Sequence, residues 1–199
     1  MHINCHSLLS VCMHRLTLDY EGDEVHVVVE LRAINPAKSN SHSSARHIAN
    51  TRTLLQALRA LPGVRVTAQD FAQLPFAQQV ALSHSAGVFV SMHGAGTTHI
   101  MHMALGRDRC CALVELQPDH TQGFQDAQGY GNLARMFGLH YFRYEAADGA
   151  TTKNGTSVDV MAVTDLVRKA AEAVRITPTC LHDVKDISLP VFPINYFEK

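Results

Sequence analysis

The chain has 199 residues, of which 46% are apolar and 18% charged, and its formal net charge at pH 7 is -1. This length is enough for one α/β domain with a hydrophobic core. The balanced charge and the lack of basic runs exclude a typical nucleic-acid-binding surface, and no apolar stretch is long enough to cross a bilayer. Residues 1–24 lack the basic start and unbroken apolar core of a signal peptide, so we expect an irregular N-terminal segment there.

The first half of the folded region alternates strands and helices. The β-branched run at 25–31 predicts a buried strand, and residues 46–60 predict a helix that a Pro-Gly pair ends. A second short strand is predicted at 64–68. A helix over 75–85 and an apolar strand over 88–91 follow.

The second half repeats the pattern. A Gly-rich turn at 92–96 leads into a short helix predicted over 97–105, and an apolar strand is predicted at 111–116. A helix over 129–139 and a strand over 140–144 complete the alternation. Strand and helix therefore alternate about five times, which predicts a parallel sheet covered by helices on both faces.

The end of the chain is less regular. Residues 146–157 are rich in Gly, Thr and Asn and predict a mobile loop, whereas 158–176 predicts a long helix. Residues 177–199 contain three prolines and no periodicity, which is typical of a tail. One domain is therefore expected over 25–176.

The turn at His93-Gly94-Ala95-Gly96 is the strongest candidate for a binding site. It lies between a strand and a helix start, where glycines allow close approach and the exposed amides favour a phosphate group. Thr97 and Thr98 add hydroxyl donors. A purely structural strand-to-helix turn is the alternative, and a bare Gly-x-Gly does not decide between them.

The motifs around this turn resemble a known family in order and spacing. VFVSMHGAGTTHIMHMALG followed by CCALVELQP, preceded by VVVELRAINP and ARHIANTRTLLQAL, is similar to the signature of glycosyltransferase family 61. A later Gly-Leu-His-Tyr segment fits the same series. The resemblance covers roughly residues 25–174 and departs from the family pattern at Thr97, where an apolar residue is usual.

The resemblance implies the Rossmann-like C-terminal half of a GT-B enzyme. It implies an inverting transfer of a sugar such as N-acetylglucosamine or xylose from a UDP-sugar to a hydroxyl of a protein or glycan. It also implies a location in the lumen of the endoplasmic reticulum or Golgi, although no signal peptide is visible. Only the donor-binding half is recognised, so an N-terminal domain is expected to be missing.

The same resemblance suggests roles for individual residues. His93 is expected at the diphosphate, with Gly94, Ala95 and Gly96 supplying backbone amides and Thr97 a hydroxyl. Glu115 is expected either to hold ribose hydroxyls or to be a structural carboxylate. Arg32 is expected to pair with phosphate or to form a surface ion pair. No catalytic base can be assigned.

Three alternatives remain open from the residues. His93, His99 and His102 have a spacing that suggests zinc, but no HExxH pattern accompanies them, and no metal cofactor is expected. The chain is alternatively a non-catalytic or truncated nucleotide-binding module. It is alternatively an α/β hydrolase-type enzyme that uses His93-Gly94 as an oxyanion loop.

Overall fold

The computed structural model describes residues 24–33, 45–103, 110–119 and 129–176. Within these residues the strands are β1 Val25–Leu31, β2 Val64–Asp70, β3 Val88–Met92, β4 Ala112–Gln117, β5 His140–Glu145, β6 Thr151–Thr152 and β7 Gly155–Thr156. The α-helices are α1 Thr51–Arg59, α2 Phe76–Ser85, α3 Gly129–Met136 and α4 Val160–Ile176, with 3₁₀ helices at Phe71–Gln73 and Ala95–His102.

Strands β1 to β5 form one sheet in the order β2-β1-β3-β4-β5, and every neighbouring pair is parallel. The chain passes from β1 to β2 on one side and then to β3 on the other. The strand order therefore reverses between β1 and β3, and ligands of open parallel sheets bind at such a point, beyond the carboxyl ends of the strands.

The sheet is covered on both faces, which confirms the predicted α/β, Rossmann-like arrangement. On one face, Leu54 and Leu58 of α1 and Val163 and Val167 of α4 are fully buried in a shared cluster. On the other face, Phe89 of β3 packs in a second cluster that includes residues of the Ala95–His102 helix and α3. Strands with two buried faces have nearly continuous apolar sequences, which explains VHVVVEL and VFVSM.

Helix α1 begins at Thr51 rather than at the predicted position 46. The preceding segment is instead held by the segment that leads into α4. The amide of Ala49 donates to the carbonyl of Thr156 at 2.9 Å, and the Asn50 side chain exchanges two hydrogen bonds with the Val158 backbone at 2.8 and 3.0 Å. These long-range bonds replace the first helical turn that local periodicity predicted.

The predicted mobile loop at 146–157 contains the antiparallel β6–β7 hairpin. Thr156 is fully buried, and its hydroxyl donates to the carbonyl of Ala45 at 2.7 Å. Gly155 has φ +111°, and a Cβ there would lie 2.5 Å from the carbonyl oxygen of His47. The hairpin therefore docks on the segment before α1.

The predicted N-terminal segment, apart from Glu24, and the predicted tail at 177–199 lie outside the described residues. The helix predicted over 97–105 is observed as the 3₁₀ helix Ala95–His102. None of the helices in the described ranges has the length and apolarity needed to span a membrane.

Candidate functional site

The turn after β3 lies at the carboxyl edge of the sheet, beside the point where the strand order reverses. The amide of His93 donates to the carbonyl of Leu116 at 2.8 Å, which ties the turn to the end of β4. Gly94 has φ +155°, and the amide of Thr97 donates to its carbonyl at 2.9 Å as the 3₁₀ helix begins. The amides at the start of that helix have no partner within it.

Glu115 of β4 lies beneath the turn and is fully buried. Its Oε1 lies 2.6 Å from Nδ1 of His93 and accepts from Nε2 of Gln117 at 3.0 Å. Its Oε2 accepts from the hydroxyl of Tyr141 at 2.6 Å. Both carboxylate oxygens therefore have side-chain partners, as expected of the structural carboxylate that the sequence offered as the alternative to a ribose ligand. Glu115 belongs to the support of His93.

Tyr141 of β5 is a neutral donor in this cluster. Burial, followed by its hydrogen bond to Glu115, raises the pKa of Tyr141 above its usual value near 10.0. The phenol therefore keeps its proton over the physiological pH range, and Glu115 receives a hydrogen bond on each oxygen. A buried carboxylate needs such partners, because without them its desolvation is costly.

His93 bridges this buried cluster and the surface. Its side chain is 13% exposed, and its ring packs edge-on against Tyr130 of α3 with ring centroids 5.1 Å apart. Burial, with Glu115 as the next cause, raises the pKa of Tyr130. His93 is thus held between Glu115 behind it and Tyr130 beside it.

A second buried cluster lies between β1 and the 3₁₀ helix. The Ser91 hydroxyl donates to Oε2 of Glu30 at 2.5 Å and lies 3.1 Å from the hydroxyl of Thr97. Thr97, predicted to add a hydroxyl donor at the turn, is fully buried, and its hydroxyl belongs to this internal network. A Cβ on Gly96 would lie 1.7 Å from Oε1 of Glu30, so that glycine is required by the carboxylate packed against it.

Two arginines lie at the same edge. Nε of Arg32 is 3.4 Å from Oε1 of Glu30, and its side chain is 28% exposed. A Cβ on Gly94 would lie 3.1 Å from Cδ of Arg46, so the Arg46 side chain crosses the turn. Both guanidinium groups act electrostatically on Tyr130. The structure therefore brings Arg32, Arg46 and His93 to one place.

Sequence reasoning undervalued or missed several members of this site. Arg46 reads as a solvated helix residue until its segment is known to be a turn. Glu30 and Gln117 had a usable signal, because each is a polar residue near the carboxyl end of a buried strand. Tyr141 had no such signal in the sequence, because its contact with Glu115 depends on β5 lying next to β4.

The histidines that suggested zinc have other partners. Nδ1 of His99 lies 2.8 Å from the carbonyl oxygen of Gly96, and its Nε2 lies 2.8 Å from Oε1 of Gln79. The ring of His102 packs against Phe76 at 5.8 Å. In the part of the chain that the structure describes, no three His, Cys, Asp or Glu side chains are grouped to hold a metal ion.

The serines of the Ser83-His84-Ser85 stretch, which faintly matches a hydrolase motif, are bonded inside α2. The Ser83 hydroxyl donates to the carbonyl of Gln79 and the Ser85 hydroxyl to that of Leu82, both at 2.8 Å. They lie at the helix end that leads into β3, which is the opposite edge of the sheet from His93. This arrangement gives no support to a hydrolase that uses the His93 turn.

The comparisons with family models and with known proteins point to the same family. Residues 14–110 match the model of the family described as Glycosyltransferase 61. The chain is 33% identical over 110 residues to the EGF domain-specific O-linked N-acetylglucosamine transferase of Xenopus laevis. The aligned region is 52% of this chain and 18% of that protein. The chain is 26% identical over 176 residues to the protein of the same name from Drosophila melanogaster, which covers 81% of this chain and 31% of that protein.

One solved structure that is similar is the metal-soaked Flv1 flavodiiron core from Synechocystis sp. PCC6803. The match covers 84% of this chain and 41% of the Flv1 chain, at 14% sequence identity. Its TM-score is 0.40, and no argument about function follows from it. The chain spans less than a third of the length of the two transferases.

Proposed function

We propose, from the match of residues 14–110 to the Glycosyltransferase 61 family, that the chain forms the nucleotide-sugar-binding part of an inverting glycosyltransferase. The donor is a UDP-sugar, and the acceptor is a hydroxyl group of a protein or glycan. The names of the relatives make N-acetylglucosamine the first sugar to test and an EGF domain the first acceptor.

One observation carries this proposal, namely that His93, Arg32 and Arg46 converge on the glycine turn where the strand order reverses. A diphosphate is negatively charged, and it needs cationic side chains and amide donors at short range. Guanidinium groups suit phosphate because their donors form a planar fork. The base and ribose of the nucleotide then extend along the carboxyl edge of the sheet.

The reaction requires a base that removes the proton of the acceptor hydroxyl and a stabilised diphosphate leaving group. The described site supplies charge for the leaving group. Three buried carboxylates lie at or just beyond this edge in the described residues. Glu30 is engaged with Ser91 and Arg32, Glu115 with His93 and Tyr141, and Asp119 with the backbone amide of Thr151. We therefore propose that the catalytic base lies outside the described residues, in an N-terminal domain of the longer protein.

We propose that nucleotide binding needs no metal ion. Arg32, Arg46, His93 and the amides at the start of the 3₁₀ helix would carry the phosphate charge. We expect UDP affinity to be unchanged by a chelator. Loss of UDP binding in a chelator that is restored by adding manganese would contradict this.

We also propose that the protein works in the lumen of the endoplasmic reticulum or Golgi. Cys110 is disulfide-bonded, and disulfides persist in oxidising compartments. Asn154 of the Asn154-Gly155-Thr156 sequon is exposed at the turn of the β6–β7 hairpin. Both features fit a luminal protein.

Calorimetric titration of the chain with UDP, UDP-sugars and ADP tests the proposed donor. We expect UDP to bind and to raise the melting temperature, with ADP binding much more weakly. A folded sample whose melting temperature no uridine nucleotide changes at millimolar concentration would contradict the proposal. Binding without transfer, when the chain is joined to the proposed N-terminal domain and supplied with an EGF-domain acceptor, would instead favour the non-catalytic module.

A further inference from the structure

The side chain of Tyr130, in the first turn of α3, combines a packed ring with a hydroxyl that has no partner. Its ring packs edge-on against His93, with the ring centroids 5.1 Å apart, and against the second hydrophobic cluster around Phe89. No described residue forms a hydrogen bond with its hydroxyl, whereas the hydroxyl of Tyr141 donates to Glu115 at 2.6 Å. Tyr130 therefore brings an available hydroxyl group to the candidate site.

Close packing of α3 on β5 holds Tyr130 in this position. A Cβ on Gly131 would lie 2.9 Å from Cε1 of Tyr141, so this approach requires a glycine next to Tyr130. The hydroxyl of the same Tyr141 donates to Glu115, which in turn contacts His93. The position of Tyr130 relative to the turn is therefore determined by the same buried groups that support His93.

The Tyr130 phenol lies among charged side chains and keeps its own proton. Four of these side chains act on it electrostatically, namely Glu115, Arg46, Arg32 and Glu30. Burial, followed by the charge of Glu115, raises the pKa of Tyr130, although the two arginines act in the opposite direction. At physiological pH the phenol is therefore a neutral O–H donor, and it can bind an anion without adding negative charge to the site.

We propose that Tyr130 is a substrate-binding residue whose hydroxyl donates a hydrogen bond to the diphosphate of the nucleotide sugar. This inference rests on the proposed function, because it assumes a diphosphate at the His93 turn. The charges of Arg32 and Arg46 attract the diphosphate, and Tyr130 adds a directed O–H donor. Negative charge grows on the diphosphate as it leaves the sugar, so this hydrogen bond becomes stronger in the transition state and favours the transfer.

Tyr130→Phe tests the hydroxyl alone, because phenylalanine keeps the ring that packs against His93. Calorimetric titration of the full chain with UDP should give an affinity at least about tenfold lower, as expected for the loss of a hydrogen bond to a charged group. Competition with pyrophosphate should weaken by a similar factor, because pyrophosphate has the diphosphate but no nucleoside. The melting temperature without ligand should not change, since no described residue loses a hydrogen-bond partner.

Tyr144→Phe is the matched control, because it removes a tyrosine hydroxyl that has a structural partner. The hydroxyl of Tyr144 accepts from the amide of Asp159 at 2.7 Å, just before α4 on the other face of the sheet. Its removal should lower the melting temperature and leave the affinities for UDP and pyrophosphate unchanged. The two variants should therefore show opposite patterns.

The outcomes separate this inference from the proposed function. If the unmodified chain and Tyr130→Phe bind UDP equally tightly, the inference is wrong and the proposed function stands. A loss of affinity for UDP but not for pyrophosphate would also overturn the inference, because the hydroxyl would then contact the nucleoside. A lower melting temperature of Tyr130→Phe would overturn it in favour of a structural role. No binding of UDP to the unmodified chain would overturn both.

Discussion

Gly96 shows how a motif residue can be required by the protein rather than by a ligand. A Cβ at this position would lie 1.7 Å from the Glu30 carboxylate, which is itself 5% exposed and bonded to Ser91. We therefore expect Gly96→Ala to destabilise the fold by about 1–3 kcal/mol, as overpacking of a buried site does. Gly129→Ala is the matched control, because nothing lies within 4 Å of a Cβ there.

Thermal unfolding of the two glycine variants measures this effect. Gly96→Ala should lower the melting temperature by several degrees, whereas Gly129→Ala should leave it unchanged or raise it slightly. Equal melting temperatures for Gly96→Ala and the unmodified chain would show that Glu30 does not occupy the position that the structure gives it.

Arg46 provides a direct test of the charge at the turn. Its side chain crosses Gly94, so Arg46→Met should weaken UDP binding by about 1.5–3 kcal/mol, the usual contribution of a hydrogen bond to a charged group. Arg59→Met removes an exposed arginine at the end of α1 that leads to the opposite edge of the sheet, and it should not change UDP affinity. Equal losses in the two variants, measured by calorimetry, would point to a general charge effect.

His26 makes the stability of the domain depend on pH. Burial, and secondarily the charge of Arg65, lowers the pKa of His26 from 6.5 to about 4, so the folded chain binds this proton less readily than the unfolded chain. The stabilising contribution is present above pH 6.5 and is lost as pH falls toward 4. The full loss is on the order of 3 kcal/mol, since one pKa unit corresponds to about 1.4 kcal/mol.

Urea unfolding at several pH values checks this expectation with His26→Gln. Nδ1 of His26 donates to the carbonyl of Ser85 and its Nε2 accepts from the Thr67 hydroxyl, contacts that an amide side chain partly replaces. The variant should be less stable near neutral pH but should lose less stability on acidification. A pH profile parallel to that of the unmodified chain would show that another group is responsible.

At the scale of elements, the β6–β7 hairpin connects the sequon to the fold. Asn154 is exposed, but the Thr156 hydroxyl is buried and bonded to the carbonyl of Ala45. Thr156, which the glycosylating enzyme must recognise together with the acceptor Asn154, is therefore accessible only before the hairpin docks. We expect a chain directed to the secretory pathway to carry an N-glycan at Asn154, added before folding is complete.

A glycosidase-sensitive mobility shift in cells measures this modification. The shift should be absent in Asn154→Gln and should not appear when the purified, folded chain is exposed to the glycosylating enzyme. Glycosylation of the folded chain at the same rate as the unfolded chain would contradict the docked position of Thr156.

The strands could be predicted more closely than the helices and turns. Strands β1 and β3 lie inside the sheet and are buried on both faces, so their sequences are nearly all apolar and their limits are clear. The start of α1 and the β6–β7 hairpin could not be predicted, because they depend on each other across the chain through Ala49, Asn50 and Thr156. Local periodicity contains no information about such long-range bonds.

At the scale of the whole molecule, alternation of strands and helices predicted a parallel sheet but not its order. The order β2-β1-β3-β4-β5 determines which strand ends meet, and it brings Arg32 after β1, His93 after β3 and Glu115 of β4 together. The sequence motif was therefore enough to identify the turn, whereas the residues that surround the turn could be identified only from the strand order. The motif leaves Glu115 as either a ribose ligand or a structural carboxylate, and only the pairing of β4 with β5 shows that Tyr141 donates to it.

The central claim is that the diphosphate of a UDP-sugar binds at the His93 turn. A crystal structure of the full chain with UDP tests it most directly. We predict the diphosphate within hydrogen-bond distance of Nε2 of His93 and of the amides after Gly94, with the Arg46 guanidinium alongside. UDP bound elsewhere on the chain, with His93 and Arg46 making no contact to it, would contradict the account.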